Sequence, residues 1–369
     1  MSYKVTIIPG DGIGPEVTRA ALTCVKALGV DIEWEERIAG KTSLDRGGQL
    51  LPPETIESIQ ANKVALKGPI TTPIGKGFRS VNVLIRQSLD LYVCMRPVKS
   101  FNSPKALYPD IDLVIMRENT EDLYAGIEFP EKSSDTAKVI EAINSISEKK
   151  VRPASAVSIK PISRSASERI AKFAFEYALA NQRKKVTCVH KANIMKYSDG
   201  LFLDSFLQVA KNYEGKVEYS DVIVDNLSMQ LTQRPQHFDI LVLPNLYGDI
   251  ISDLGAGLVG GLGLAAGANI GDQIAVFEPT HGSAPKYTGQ NKVNPIATIL
   301  SAALMLKHLG EVKKSNLLEK AVAEVIKEGR CLTYDLKADR SDPTACGTQE
   351  IAQAIVEKIN LLGVASFLT

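Results

Sequence analysis

Short runs of β-branched and apolar residues recur along the chain at Val5-Thr6-Ile7-Ile8, Val64-Ala65-Leu66, Asp112-Leu113-Val114-Ile115, Val186-Thr187-Cys188-Val189 and Phe238-Asp239-Ile240-Leu241-Val242-Leu243. Each has the length and composition of a buried strand. Between them the apolar positions switch to helical spacing. The clearest helix begins near the capping-box pattern Ser165-Ala166-Ser167-Glu168 and sets Ile170, Phe173, Ala174, Tyr177 and Ala178 on one face. Strands alternating with helices predict an α/β layered fold. The polar stretch from Glu131 to Val151, closing on Lys149-Lys150, breaks the alternation and reads as a solvated insertion or edge hairpin. Leu254 to Ile270 carries no charge, but its 17 residues include six glycines. That is too short and too glycine-rich for a membrane helix, which takes roughly 20 strongly apolar residues. No internal repeat is present.

Composition narrows the class. The 369 residues carry 43 Lys plus Arg against 42 Asp plus Glu, a formal net charge of +1, so binding to a polyanion through bulk charge is excluded. Aromatic residues make up 6% and Trp34 is the only tryptophan, which leaves little for a base-stacking platform; no nucleic-acid partner is expected. Cys24, Cys94, Cys188, Cys331 and Cys346 are widely spaced without a C-x-x-C pair, and are read as reduced thiols. Met1-Ser2-Tyr3-Lys4 runs directly into strand-like sequence with no apolar signal core, so the expectation is a cytoplasmic protein with no membrane association.

Four segments carry candidate chemistry. Pro9-Gly10-Asp11-Gly12-Ile13-Gly14-Pro15-Glu16 reads as strand, glycine loop, then a helix with Pro15 in its first turn. The third glycine of a dinucleotide fingerprint is replaced by Pro15, which argues against an ordinary Rossmann domain. Arg86, Arg96 and Arg117 fall at predicted element ends, where guanidinium forks can converge on a substrate with several carboxylates. Spacing alone favours three separate surface ion pairs. Asp249 and Asp253 lie four apart, so on a helix they face the same way and suit a hard divalent cation, or equally complement a helix dipole. Glu278-Pro279-Thr280-His281-Gly282-Ser283-Ala284-Pro285-Lys286-Tyr287 is a small-residue loop whose amides could cradle phosphate.

Together the glycine loop, Arg117-Glu118-Asn119-Thr120-Glu121-Asp122-Leu123-Tyr124, His190-Lys191-Ala192-Asn193-Ile194-Met195-Lys196 and Asn245-Leu246-Tyr247-Gly248-Asp249 through Asp253 closely resemble motifs of the β-decarboxylating dehydrogenases, in family order. That family comprises the isocitrate, 3-isopropylmalate and homoisocitrate dehydrogenases. The resemblance implies the isopropylmalate dehydrogenase-like three-layer α/β/α fold, distinct from the Rossmann fold. Residues 1–97 and 254–369 would form a large cofactor-binding domain, and 98–253 a smaller domain with dimerisation, substrate and metal residues.

Within the resemblance, Ser80 and Asn82 following Arg79 look like the isocitrate enzymes, as does Lys67. Short hydrogen-bond donors suit a third carboxylate, whereas an alkyl group would leave them unpaired. The implied reaction is oxidative decarboxylation of isocitrate assisted by Mg²⁺ or Mn²⁺. The alternatives are isopropylmalate or homoisocitrate turnover, and a non-catalytic, regulatory role in a hetero-oligomer. Lys191 would be the base and Tyr124 the acid, with Ser80, Asn82, Arg86, Arg96 and Arg117 on the carboxylates. The metal would be held by Asp225, Asp249 and Asp253, Asp221 giving an alternative register to Asp225. Lys191 and Asp225 would come from one protomer of a homodimer and Tyr124, Asp249 and Asp253 from the other. Thr71, His281, Gly282, Ser283, Ala284, Lys286, Tyr287, Asn294 and Tyr334 would contact the cofactor. Lys286 and Tyr287 stand where NAD enzymes of the family place an acid, favouring NADP with NAD as the alternative, although the arginine that accompanies such a tyrosine would fall at Ala338.

Overall fold

The computed structural model describes residues 2–71 and 80–365; Arg79 of the substrate motif lies outside them. Ten strands form one sheet: β1 (Tyr3–Ile8), β2 (Ile32–Glu36), β3 (Val64–Lys67), β4 (Val93–Lys99), β5 (Asp112–Glu118), β8 (Lys185–His190), β9 (Glu218–Ile223), β10 (Ile240–Leu243), β11 (Ala266–Ile270) and β12 (Ala275–Pro279). Two residues each, β6 (Glu128–Phe129) and β7 (Val157–Ser158) pair separately. The large sheet has the order β2-β1-β3-β12-β11-β4-β5-β10-β8-β9. Its outer blocks are parallel, and the middle, from β12 through β11 and β4 to β5, is antiparallel. The inner parallel strands β1, β3, β8 and β10 are mostly apolar runs because helices cover both faces, whereas β2 and β9 lie at the sheet edges and carry charge.

The central register sets up the chemistry. Gly267 pairs with Glu278, and Ala268 with Met95, which brings Gly267 beside Arg96. One position beyond the Phe277–Leu66 pair, Glu278 comes level with Lys67. Lys67, Glu278 and Arg96 thus share one row across the sheet before any tertiary packing is considered.

Three local expectations change. The helix expected from Ser165 runs over Arg164–Ala180 and is capped by Ser163, whose hydroxyl accepts from the Ala166 amide at 3.2 Å. Ser163 lies outside the helix with an extended backbone, as a capping residue must, while Ser165 is inside the first turn. The stretch read as a solvated insertion or edge hairpin contains the helix Ser134–Ile146, capped by Ser133. Its apolar face is narrow, with Ile140 buried but Ile146 88% exposed, so the helical period is weak in the sequence. Finally, Cys331 and Cys346 are joined as a disulfide, with Cα atoms 5.4 Å apart, and only Cys24, Cys94 and Cys188 are free and buried. The chain folds back between the two, and the Cys346 amide donates to the Leu332 carbonyl at 2.9 Å, a juxtaposition that a separation of 15 residues does not announce.

Candidate active site

The helix Asn245–Val259 follows β10 directly and lies over β5. Arg117, only 1% exposed, runs beneath it: Nε and Nη2 donate to Asn245 Oδ1 at 2.9 and 2.7 Å, and Nη1 binds Asp249 Oδ1. Gly248 makes this possible, since a Cβ there would come 2.5 Å from the Arg117 side chain. Arg96 reaches the same helix, donating to Ser252 Oγ, with Asp249 at 3.3 Å and Asp253 at 3.9 Å. Tyr124 donates its hydroxyl to Asp249 Oδ2 at 2.5 Å, under the Arg117 guanidinium 4.7 Å from its ring.

The surroundings move each ionisation. Burial would raise Asp249, yet Arg117, the Tyr124 hydroxyl and Arg96 together hold it below the usual carboxylate range. Asp253 is raised by burial, which Arg96 only partly offsets. Burial and then the bond to Asp249 push Tyr124 upward, so its proton is firmly held.

An inner cavity of about 100 Å³ opens beside these groups, lined among others by Lys67, Asn82, Arg86, Cys94, Arg96 and Glu278. No sequence motif marks Glu278 for a role of its own, but it organises the floor. Its carboxylate takes Lys67 at 2.6 Å, Arg86 at 3.0 Å and Asn269 at 2.7 Å. Burial opposes its charge, and Lys67 and Arg86 overcome that to hold it far below the ordinary glutamate range. Asn82 Oδ1 is buried without a hydrogen-bond partner, an orphan acceptor at the cavity wall. Ser80 is exposed at the start of the helix Val81–Ser88, and its hydroxyl makes no cap bond. The three arginines expected on spacing to be surface pairs are therefore buried and convergent.

Lys191 and Asp225 stand apart from this cluster and pair with each other. Lys191 chiefly lowers the Asp225 carboxyl. Asp221, the alternative register, binds His190 Nε2 at 3.0 Å instead. No group of three or more metal-binding side chains forms among the described residues, so Asp225 does not join Asp249 and Asp253 within one chain. The Lys191 turn is fixed from below: its amide donates at 2.7 Å to Asp199, which is fully buried and binds Lys160 at 2.6 Å.

Several of the residues expected to contact a cofactor line a second cavity. Asp11 accepts from the amides of Lys41, Thr42 and Thr71 at 3.0, 2.7 and 2.8 Å, and from the Thr42 hydroxyl at 2.5 Å. Thr71 and Ser283 then share a hydroxyl hydrogen bond at 2.5 Å. A cavity of about 380 Å³ is lined by Ile13, His281, Gly282, Ala284, Tyr287, Asn294, Tyr334 and Asp335 among others. His281 Nδ1 lies 3.1 Å from the Gly282 carbonyl, and burial lowers its imidazole pKa. His281 Nε2, Thr280 Oγ1 and Asp335 Oδ1 are buried polar atoms without partners, the mark of a surface shaped for a polar ligand. Asn294 donates to Asp335 at 3.0 Å. Tyr287 and Tyr334 face each other with ring centroids 6.0 Å apart, and Lys286 lies 4.8 Å over the Tyr287 ring. Burial and the Tyr287 hydroxyl push Tyr334 up to about 12, whereas the Tyr334 hydroxyl and then Lys286 lower Tyr287. Arg340 lines this cavity too, unmarked by the motif that flagged Tyr334.

Buried cations lining an inner cavity, with a second, small-residue cavity lined by unpartnered polar atoms, are the layout of an enzyme site for polyanionic small molecules. The chain belongs to the isocitrate/isopropylmalate dehydrogenase family, whose model matches residues 4–355. It is 44% identical to the NADP isocitrate dehydrogenase of Archaeoglobus fulgidus, over 96% of this chain and 93% of that one. It is 45% identical to a mitochondrial regulatory subunit of the NAD isocitrate dehydrogenase of Dictyostelium discoideum, over 97% and 93%. The crystal structure of isocitrate dehydrogenase from Methylococcus capsulatus superposes with a TM-score of 0.87 at 47% identity, covering 97% of this chain and 99% of that one. The three-layer fold expected from the motifs is thus the fold of the chain.

Proposed function

We propose that the chain catalyses the oxidative decarboxylation of isocitrate to 2-oxoglutarate and CO₂, with Mg²⁺ or Mn²⁺ and with NADP in preference to NAD. The observation that carries this reading is the inner cavity, lined by Asn82 and by Lys67 and Arg86, which both pair with Glu278. A third carboxylate can accept from Lys67, Arg86 and the amide N–H of Asn82. An alkyl branch, as in isopropylmalate, would leave buried polar atoms unpaired at about 1–3 kcal/mol each.

Asp249 and Asp253 offer hard carboxylate oxygens, with side chains 38% and 62% exposed, which fit Mg²⁺ or Mn²⁺. A bound divalent cation would supply positive charge beside the substrate's hydroxyl and, later, keto oxygen. Arg86, Arg96 and Arg117 hold the carboxylates and orient the C–H bond for hydride transfer to the nicotinamide. Lys191, in its neutral amine form, accepts the hydroxyl proton. After CO₂ leaves, Tyr124 delivers its proton to the enolate carbon, and its raised pKa keeps that proton in place until then.

The separation of Lys191 and Asp225 from Tyr124 and Asp249 supports a homodimer in which each site draws on both chains. NADP is favoured by Lys286 with the two tyrosine hydroxyls, a donor set for a phosphate.

The test is reduction of NADP or NAD by the purified chain with isocitrate and Mn²⁺. Comparable turnover of isopropylmalate would refute the substrate, and higher catalytic efficiency with NAD would refute the cofactor. The regulatory reading is supported by the 45% identity to the Dictyostelium protein. It wins if the chain binds isocitrate but turns nothing over with either cofactor.

A further inference from the structure

The basic surface around Tyr287 and Tyr334 is larger than the motif residues suggest. Lys292 places its Nζ 5.1 Å over the Tyr334 ring and 6.0 Å over the Tyr287 ring. Arg340 lines the same cavity and acts electrostatically on Tyr334. Neither side chain forms an ion pair with a carboxylate among the described residues, and both are exposed. With Lys286, three cations therefore surround one pair of tyrosines, and the carboxylate next to Tyr334, that of Asp335, is bound to Asn294.

The backbone that presents Arg340 is held in place. Asp339 Oδ1 accepts from the Ser341 amide at 2.9 Å and hydroxyl at 2.7 Å, spanning Arg340. Asp342 Oδ1 accepts from the Thr344 amide at 2.8 Å and hydroxyl at 2.6 Å. Lys105 donates to the Ala338 carbonyl at 2.6 Å, and the Cys331–Cys346 disulfide closes the base of the loop. Ala338 contributes only that carbonyl, and Arg340 is the residue of this loop that lines the cavity with a cation.

We infer that Arg340 and Lys292 are specificity-determining residues that bind the 2′-phosphate of the dinucleotide's adenosine ribose. This rests on the NADP reading and extends it. A dianionic phosphate would bridge the Tyr287 and Tyr334 hydroxyls under three cations, whereas a bare ribose hydroxyl leaves those cations facing nothing. Lys292 comes from the turn before Asn294 and Arg340 from the disulfide-closed loop, so the phosphate would be gripped from two sides.

The test measures binding of 2′,5′-ADP and of 5′-AMP by calorimetry to the full chain, to Arg340→Gln, to Lys292→Gln and to Arg340→Lys. Each Gln variant is expected to lose about tenfold in affinity for 2′,5′-ADP, or ~1.4 kcal/mol, with 5′-AMP binding changed less than about twofold. Arg340→Lys should recover part of the loss, and the wild-type preference should weaken as salt rises. Parallel loss of both nucleotides overturns the inference, because it means the loop was merely distorted. A wild-type preference for 2′,5′-ADP that survives in both Gln variants overturns it while leaving the NADP reading standing. A wild-type chain that binds both nucleotides equally removes the NADP reading and this assignment with it.

Discussion

Replacing Glu278 by Gln tests how the cavity floor is balanced. Glu278 is the carboxylate partner of Lys67 and Arg86, which are 2% and 7% exposed. Glutamine keeps the shape and an oxygen for Asn269 but deletes the charge, leaving two buried cations uncompensated. Breaking a buried pair by removing one partner costs about 3–5 kcal/mol. A chain of this length has an unfolding entropy of about 0.8 kcal/mol/K, so Tm should fall by about 4–6 °C. The sign with pH follows from the depressed carboxyl. Its contribution is fully present above the unfolded glutamate pKa near ~4.3 and is lost as pH falls below it, so the gap to wild type should be constant at neutral pH and narrow below about pH 4. Isocitrate supplies the missing charge, so it should raise the Tm of Glu278→Gln more than that of wild type. Differential scanning fluorimetry from about pH 3.5 to 8, with and without isocitrate, reads all three effects. A variant within about 1 °C of wild type at pH 7, or equal stabilisation of both by isocitrate, would refute the reasoning.

Three further outcomes follow from the same geometry. Tyr124→Phe and Lys191→Gln should each lower kcat by about 10²–10⁴ as homodimers, yet mixed after co-refolding they should regain about a quarter of wild-type activity, because half the dimers would hold one intact site; no recovery would show that each site lies within one chain. Cys346→Ser opens a loop of 15 residues, which should cost about 3 kcal/mol and lower Tm by about 4 °C, and thiol titration of the unfolded, unreduced wild type should find three free cysteines, five being the result that refutes the pairing. Ser80→Asp places a charge at the N-terminus of the helix that carries Asn82 and Arg86 to the cation-lined cavity and should raise the KM for isocitrate at least about tenfold, read by steady-state kinetics; an unchanged KM would separate Ser80 from the substrate site.

The strands are legible where both faces are covered. Val5–Ile8, Val186–Val189 and Ile240–Leu243 are continuous apolar runs because helices flank them, and each appears as expected. β2 leaves no such signal because Ile32-Glu33-Trp34-Glu35-Glu36 lies at the sheet edge, where alternate positions meet water. β11 is hidden among glycines and alanines, since Ala266-Gly267-Ala268 must let Met95 and Glu278 approach on either side. The site residues come from motif resemblance, and their spacing alone favours separate surface pairs. Convergence of Arg86, Arg96 and Arg117 depends on the β4–β5 and β11–β12 registers, which no local pattern encodes. Glu278 and Arg340 stay silent for a related reason: one acts through cations far away in sequence, and the other sits in a polar loop that looks like any solvated turn.

Asp11 binds three stretches of chain to one carboxylate: its own glycine loop, the start of the short helix Lys41–Asp45, and the segment at Thr71. None of these stretches can open locally without stranding a charge that is only 4% exposed. These three stretches are therefore held mechanically as a single part. The cooperative unit is set by one side chain and joins the first strand's exit to residue 71, so fluctuations in one stretch are shared by the others or suppressed in all of them.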